Sequence, residues 1–218
     1  MKKILMIIFL FVILFGCVRI PVRPALQENI GVPAGKIEGN QFTGIRYAFH
    51  ASVPPHWKLT TDFPDFLEEL GYDRPFSTDK EQTELYAYNP ETESNINFDF
   101  TPAGRYSRFN QKGIEYLTTS VTKNMVSDLE KERGKGVANI EVGPTEPISL
   151  KGVQYAAKKY VTYTLKEQKR EQGWIYGFTE PYQIFILYSL LEKIEKEDAN
   201  DRQDLKKILD SFEFITKK

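Results

Sequence analysis

The hydrophobic positions divide the chain into an apolar leader, a stretch without periodicity and a long region of regular alternation. Two lysines precede twelve consecutive apolar residues at positions 4–15, and the run ends at Gly16 and Cys17. A helix that spans a bilayer needs roughly 20 apolar residues. The run is too short for a permanent span and predicts a secretory signal peptide over residues 1–16.

The stretch after the leader shows neither a helical nor a strand period. Residues 18–42 contain three prolines and three glycines. These residues remove hydrogen-bond donors or raise the entropy cost of ordering the backbone. We therefore predict a flexible tether over residues 17–42 and one globular domain over residues 43–218.

The domain opens with signals for a strand and a short helix. Residues 45–49 alternate apolar and polar side chains, and the Pro-Pro pair at 54–55 ends the strand. Apolar side chains recur at helical spacing over 63–70, with Asp62 placed as the N-cap and Gly71 as the C-terminal signal. The order of elements is strand, turn and short helix.

A hairpin and a long helix are predicted next. The runs 85–88 and 95–101 are strand-like and flank a turn at 89–92. Asn110 can then cap a helix whose apolar residues recur every three or four positions until near Gly134. The opposite face of this helix is polar and should face solvent.

The last third predicts a group of strands. Residues 140–142 and 153–165 are strand-like, and Lys159 interrupts the apolar face of the second, which indicates a bulge or an edge position. The charged run 166–172 predicts a hairpin loop. The nearly continuous apolar run 182–191 is typical of a central strand covered on both faces.

The chain closes on an amphipathic helix. Asn200 and Gln203 have the spacing of a capping box. Apolar residues at 205, 208, 209 and 212 form one helical face. Because the run 182–191 is predicted to be covered on both faces, the domain needs layers on both sides of its sheet.

Composition excludes one class of partner. The chain has 29 Lys+Arg and 30 Asp+Glu, and removal of the leader lowers the formal net charge from −1 to about −3. Nucleic-acid-binding domains usually carry a clustered basic face, so nucleic acid is disfavoured. A single cysteine allows no disulfide within the chain, and no cofactor is predicted.

The two histidines are weak candidates for a metal site. His50 and His56 flank the Pro-Pro pair, and Asp62 or Asp65 could approach them. The set lacks the spacing of structural zinc sites and zinc proteases. A strand-end histidine and a solvated turn histidine are the favoured interpretation, and no metal site is predicted. No catalytic residue is predicted either, since no Gly-x-Ser-x-Gly motif is present.

Four aromatic residues are weak candidates for ligand binding. Trp174, Tyr176, Phe178 and Tyr182 could line a groove if one face of their strands were uncovered. Alternating aromatic residues are more often ordinary sheet core. The core interpretation is favoured and the groove remains an alternative.

The end of the leader resembles the bacterial lipobox. Leu14-Phe15-Gly16-Cys17 places a small residue before a cysteine. The resemblance implies that Cys17 is diacylated and becomes the N-terminus of a lipoprotein anchored in the cell envelope, on the extracytoplasmic side. Val18 is not the aspartate that retains enterobacterial lipoproteins in the inner membrane, so an outer-membrane location is expected if the host is a diderm.

The order of elements over residues 43–216 resembles the PsbP-like fold of the photosystem II subunit, Ran-binding nuclear-import proteins and many bacterial lipoproteins. Its short signatures are the Pro-Pro-His-Trp turn at 54–57, Leu150-Lys151-Gly152, Tyr160 and Ser211-Phe212. The resemblance implies an α+β fold, a three-layer α/β/α sandwich with a central, mainly antiparallel sheet.

The same resemblance implies a non-catalytic binding or assembly role, with the membrane and an envelope protein as partners. A carrier of a small apolar ligand is the alternative. An envelope hydrolase that uses His50 or His56 is less favoured. Fold resemblance alone does not identify a binding residue.

Overall fold

The computed structural model describes residues 31–69, 83–103, 109–131, 136–165, 167–192 and 201–215. The leader, Cys17, Gly71, Gly134 and Asn200 lie outside these residues. The strands are β1 (Gly35–Glu38), β2 (Gln41–Gly44), β3 (Phe49–Ser52), β4 (Lys58–Thr60), β5 (Thr83–Tyr88), β6 (Asn95–Pro102), β7 (Val137–Val142), β8 (Glu146–Pro147), β9 (Tyr155–Leu165), β10 (Gln168–Thr179), β11 (Tyr182–Glu192) and β12 (Glu213–Phe214). The helices are α1 (Asp65–Glu69), α2 (Gln111–Ser120), α3 (Thr122–Lys131) and α4 (Asp201–Ser211).

The strands form two sheets. The small sheet has the order β1-β2-β3-β12, and the large sheet has the order β4-β5-β6-β11-β10-β9-β7, with β8 beside β9. The strand pairs are antiparallel. The α+β class and the antiparallel sheet are confirmed. The α/β/α sandwich is not confirmed, because a second sheet packs with α4 against one face of the large sheet.

The central strand β11 separates two cores. Ile184, Ile186 and Tyr188 face the small sheet and α4, in the largest cluster of buried side chains. Phe185 and Leu187 point to the opposite face, where α2 and α3 pack. Full burial of one such side chain stabilises the fold by roughly 1.5–3 kcal/mol. The prediction of a central strand covered on both faces is confirmed.

Phenylalanine rings join the two sheets. The ring of Phe49 lies 4.6 Å from that of Phe100, and the rings of Phe98 and Phe212 are 5.8 Å apart and nearly parallel. Gly152 lies against the backbone of Phe214 and has a φ of +79°. A Cβ at this position would lie 1.8 Å from the carbonyl oxygen of Phe214, so no larger residue fits. That geometry explains the glycine of the Leu150-Lys151-Gly152 signature.

The tether prediction is wrong over residues 35–42. These residues form β1 and the first half of β2, and Phe42 is 1% exposed in the main core. Only one residue of this hairpin is deeply buried, so its sequence has no clear period. The folded unit therefore includes β1, and the boundary predicted at residue 43 is too far along the chain.

The predicted N-cap of the long helix is confirmed, but the helix is divided. The Asn110 side chain accepts a hydrogen bond from the backbone N–H of Gly113 at 2.9 Å. Val121 then separates α2 from α3. The hydroxyls of Thr118, Thr119 and Ser120 bond back to carbonyl oxygens one turn earlier at 2.7–2.8 Å. Such bonds bend helices, and the periodicity of apolar residues does not reveal them.

Two boundaries in the first half also differ from prediction. β3 begins at Phe49, and Ile45, predicted in the strand, is 48% exposed in the connection 45–48. α1 begins at Asp65, after Pro64, so Asp62 does not cap it. The proline restricts the residue before it and moves the helix start.

Two predictions around the β9–β10 hairpin are wrong. Within the charged run, Lys169–Gln172 pair with both β9 and β11. Gln168 pairs with Leu165, and Glu167 between them has φ of 70°. β9 lies inside the sheet, and Lys159 needs no bulge because its ammonium donates to the carbonyl oxygen of Gly143 at 2.8 Å. Among the residues that the structure describes, no helix is long and apolar enough to cross a membrane.

Candidate functional site

Two turns meet the first turn of α4. They are the turn at 54–57 and the turn between β5 and β6. Asp201 and Asp204 of α4 are three residues apart and therefore lie on one face of the helix. Both aspartates are 3% exposed. We call His56, Asp201 and Asp204 the carboxylate clasp.

Asp204 joins α4 to the Pro-Pro-His-Trp turn. Its Oδ2 lies 2.7 Å from Nε2 of His56 and accepts a 3.2 Å hydrogen bond from Nε1 of Trp57. Its Oδ1 accepts a bond from Nζ of Lys207 at 3.0 Å. Burial tends to raise the pKa of Asp204, but the bonds from Lys207 and His56 outweigh it and lower that pKa.

Asp201 joins α4 to the β5–β6 turn and to β11. Its Oδ1 accepts a bond from Nδ2 of Asn89 at 3.0 Å, and its Oδ2 accepts one from the Ser94 hydroxyl at 2.5 Å. The Ser94 oxygen in turn accepts the backbone N–H of Leu191 at 2.9 Å. Position at a helix N-terminus further stabilises both carboxylates.

The clasp combines ligand atoms that suit a metal ion. One imidazole nitrogen and one oxygen from each carboxylate all lie within 4.8 Å of one another. The His56 side chain is 44% exposed, which leaves one side of the clasp open to solvent. The aspartates are buried and oriented by neighbouring donors.

The structure does not unite His56 with the other two candidates from the sequence. His50 lies on β3, beside Thr43 of β2 and Glu213 of β12, and lines a pocket of about 340 Å³ on the small sheet. Asp62 follows β4 and contacts Thr60. The metal-capable group found among the described residues contains His56 but neither His50 nor Asp62.

The four aromatic candidates do not share a groove. Trp174 and Phe178 are 0% and 3% exposed on the helix side, and the indole N–H of Trp174 donates to the Thr118 carbonyl oxygen at 2.8 Å. Tyr182 lies on the other face, 5.2 Å from the ring of Tyr47. Tyr176 is half-buried against Phe185. Trp174 and Phe178 therefore fill the core, and α2 covers the face that the groove required.

A second buried carboxylate lies at the opposite end of the large sheet. Glu84 is 1% exposed, and its Oε1 accepts a 2.9 Å bond from Arg46, which also donates to the Val32 carbonyl oxygen. Oε2 of Glu84 has no hydrogen-bond partner in the part of the chain that the structure describes. Burial raises the pKa of Glu84 to about 7, against the opposing effect of Arg46.

Sequence reasoning missed Asp201, Asp204 and Trp57. The spacing of the two aspartates at the start of an amphipathic helix was the available signal, but it is equally typical of a solvated helix end. Asp204 and His56 are 148 positions apart, and no local pattern connects them.

Comparison with solved structures identifies the fold. The chain is similar to cyanobacterial PsbP (CyanoP) from Synechocystis, with a TM-score of 0.50 and 11% identity over 88% of this chain and 98% of that one. It also resembles LpqN of Mycobacterium tuberculosis, which is involved in cell envelope biogenesis (TM-score 0.44, 10% identity, 78% of this chain, 84% of that one). No family model matches the chain, and no curated protein matches its sequence. The match with CyanoP shows a PsbP-like fold, as the order of elements predicts.

Proposed function

We propose that this chain is a lipid-anchored cell-envelope protein whose PsbP-like domain binds a protein partner without catalysing a reaction. The leader that ends at Gly16-Cys17 supports the anchor. Two or three acyl chains on Cys17 would hold the protein stably, since each buried methylene contributes ~0.8 kcal/mol. In a diderm host the expected location is the outer membrane.

The observation that carries the binding role is a pair of exposed isoleucines on neighbouring backbone segments, beside the place where the described chain enters the domain. Ile45 and Ile215 are 48% and 41% exposed. Ile45 begins the connection 45–48, and the backbone N–H of Ile215 donates to Ala48 at the other end of that connection. Exposed apolar side chains on neighbouring segments are candidates for an interaction surface.

The path of the chain supports the position of this surface near the membrane. The backbone N–H of Ile45 donates to the Ala34 carbonyl oxygen at 2.8 Å, so the chain reaches the domain beside the isoleucine pair. The residues from Cys17 to Gly31 can span at most roughly 50 Å. The pair would therefore meet partners that are themselves in or close to the membrane.

Capture of the partner in the native envelope tests the binding role. We expect crosslinking of the full chain, purified through a C-terminal tag, to yield one reproducible protein. Replacing the pair in a double variant, Ile45→Ser with Ile215→Ser, should lower the yield several-fold. The matched control is Tyr116→Ser, which removes an apolar side chain that is 78% exposed on α2.

Two further variants separate binding from catalysis. His50→Ala and His56→Ala should leave the captured partner unchanged. Failure to capture any reproducible protein, together with a hydrolytic activity on envelope components that either histidine variant abolishes, would contradict the proposal.

Mass spectrometry of the mature N-terminal peptide tests the anchor. We expect an acylated Cys17 at the N-terminus, and Cys17→Ser should release the protein from the membrane fraction. An unmodified Cys17 or cleavage at another position would contradict this part of the proposal.

A further inference from the structure

We propose that the carboxylate clasp is a metal site that binds Zn²⁺ through Nε2 of His56 and one oxygen each from Asp201 and Asp204. The inference starts from the donor types. Zinc in proteins is bound by histidine nitrogen and carboxylate oxygen at about 2.0–2.2 Å. Ligands of one zinc ion therefore lie roughly 3–4 Å apart.

The three donors are almost at that spacing. They lie within 4.8 Å of one another, and Nε2 of His56 is 2.7 Å from Asp204 Oδ2. A zinc ion would push this close pair apart slightly and draw Asp201 closer. The imidazole can make this movement because the His56 side chain is 44% exposed.

The outer hydrogen bonds of the site are already in place. Asn89 and Ser94 orient Asp201, and Trp57 orients Asp204. Metal-binding carboxylates are usually held by such bonds, and losing one typically weakens metal affinity by 10–100-fold. The two aspartates are thus held in position before an ion binds, and the exposed imidazole of His56 moves to complete the ligand set.

Charge favours a cation at this position. Two buried carboxylates lie beside Lys207, whose ammonium bonds to Asp204 and whose side chain is 66% exposed. A divalent ion can take the place of this ammonium at Asp204, and Lys207 can move into solvent. Neutral imidazole and ionised carboxylate are the forms that bind zinc.

Zinc titration of the purified full chain tests the site, with Cys17→Ser included so that no thiolate competes. We expect one Zn²⁺ per chain by calorimetry, a higher melting temperature with zinc, and no comparable effect of Mg²⁺, which prefers oxygen ligands. His56→Ala should weaken zinc binding at least about tenfold. His50→Ala, which removes the only other histidine, should not change it.

The lysines of α4 provide a test in the opposite direction. Lys207→Ala removes a cation that competes for Asp204 and should strengthen zinc binding about three- to tenfold. Lys206→Ala is the matched control, because Lys206 bonds to Asp210 on the exposed side of the same helix. This test holds even if the His56 variant folds poorly.

Three results would overturn the site. They are the absence of saturable zinc binding, binding that a folded His56→Ala variant retains, and equal losses in the two histidine variants. An unchanged zinc affinity in Lys207→Ala would also count against it.

Discussion

Carboxylates are buried at both ends of the large sheet, and their pKa values are shifted in opposite directions. At the clasp, Asp204 accepts bonds from His56, Trp57 and Lys207, and its pKa is lowered. At the other end, Glu84 has Arg46 on one oxygen and no described partner on the other, and burial raises its pKa to about 7. Burial disfavours the charged form of both groups; the hydrogen-bond donors of Asp204 outweigh this effect, whereas Arg46 alone does not outweigh it at Glu84.

This difference bears on function. The lowered pKa of Asp204 keeps this carboxylate ionised at neutral pH, where it can attract a cation. Glu84 is partly neutral at the same pH, and Arg46 already occupies its one bonded oxygen. Of these two places, only the clasp has two carboxylates beside an imidazole nitrogen.

The largest expected effect on stability comes from removing a carboxylate from the clasp. Asp201→Ala leaves Asn89 and Ser94 without their buried acceptor and should lower the free energy of unfolding by about 3–4 kcal/mol. Asp201→Asn keeps part of this bonding and should cost about half as much. Urea unfolding at pH 7 measures both, and a loss below about 1 kcal/mol in Asp201→Ala would show that the clasp is not a stabilising unit.

The next effect concerns Glu84 and depends on pH. A raised pKa in the folded state means that neutral Glu84 favours folding fully below about 4.5, and that this contribution is lost as pH rises to about 7. Glu84→Gln stays neutral at every pH. Its stability relative to the native chain should therefore be about 3 kcal/mol greater above pH 7 than at pH 4.

Unfolding of both chains at a series of pH values measures this difference. Glu141→Gln, at an exposed position of β7, is the matched control and should show no such trend. A constant difference between Glu84→Gln and the native chain across pH 4–8 would show that the pKa of Glu84 is the same in the folded and unfolded chains.

Removing a single hydrogen-bond donor that contacts the clasp should cost less stability. Trp57→Phe keeps most of the buried ring but loses the 3.2 Å bond to Asp204, and about 1 kcal/mol of stability should be lost. Chemical denaturation measures it. An unchanged stability would indicate that His56 and Lys207 satisfy Asp204 on their own.

The smallest effect is expected for Lys207→Ala. Its bond to Asp204 comes from a side chain that is 66% exposed, and such partly solvated pairs contribute about 0–1 kcal/mol. The loss should shrink further in high salt. A loss comparable with that of Asp201→Ala would contradict the view that buried hydrogen bonds to the aspartates contribute more stability than the exposed Lys207.

Local patterns predicted much of the fold but little of the site. The cap at Asn110, the hairpin of β5 and β6 and the apolar face of α4 depend on neighbouring residues, so the sequence reveals them. The β1–β2 hairpin was missed because its burial depends mainly on Phe42, which contacts distant strands. The clasp was missed for the same reason, since His56 is brought to Asp204 only by tertiary packing.

The most direct test of the account is an NMR titration of the side-chain carboxyl carbons. We predict that Glu84 titrates near pH 7 and that Asp204 titrates below its ordinary value of 3.8. Glu84 titrating at its ordinary 4.5, or Asp204 titrating above 3.8, would contradict the claim that the number of donors sets the charge of these buried groups.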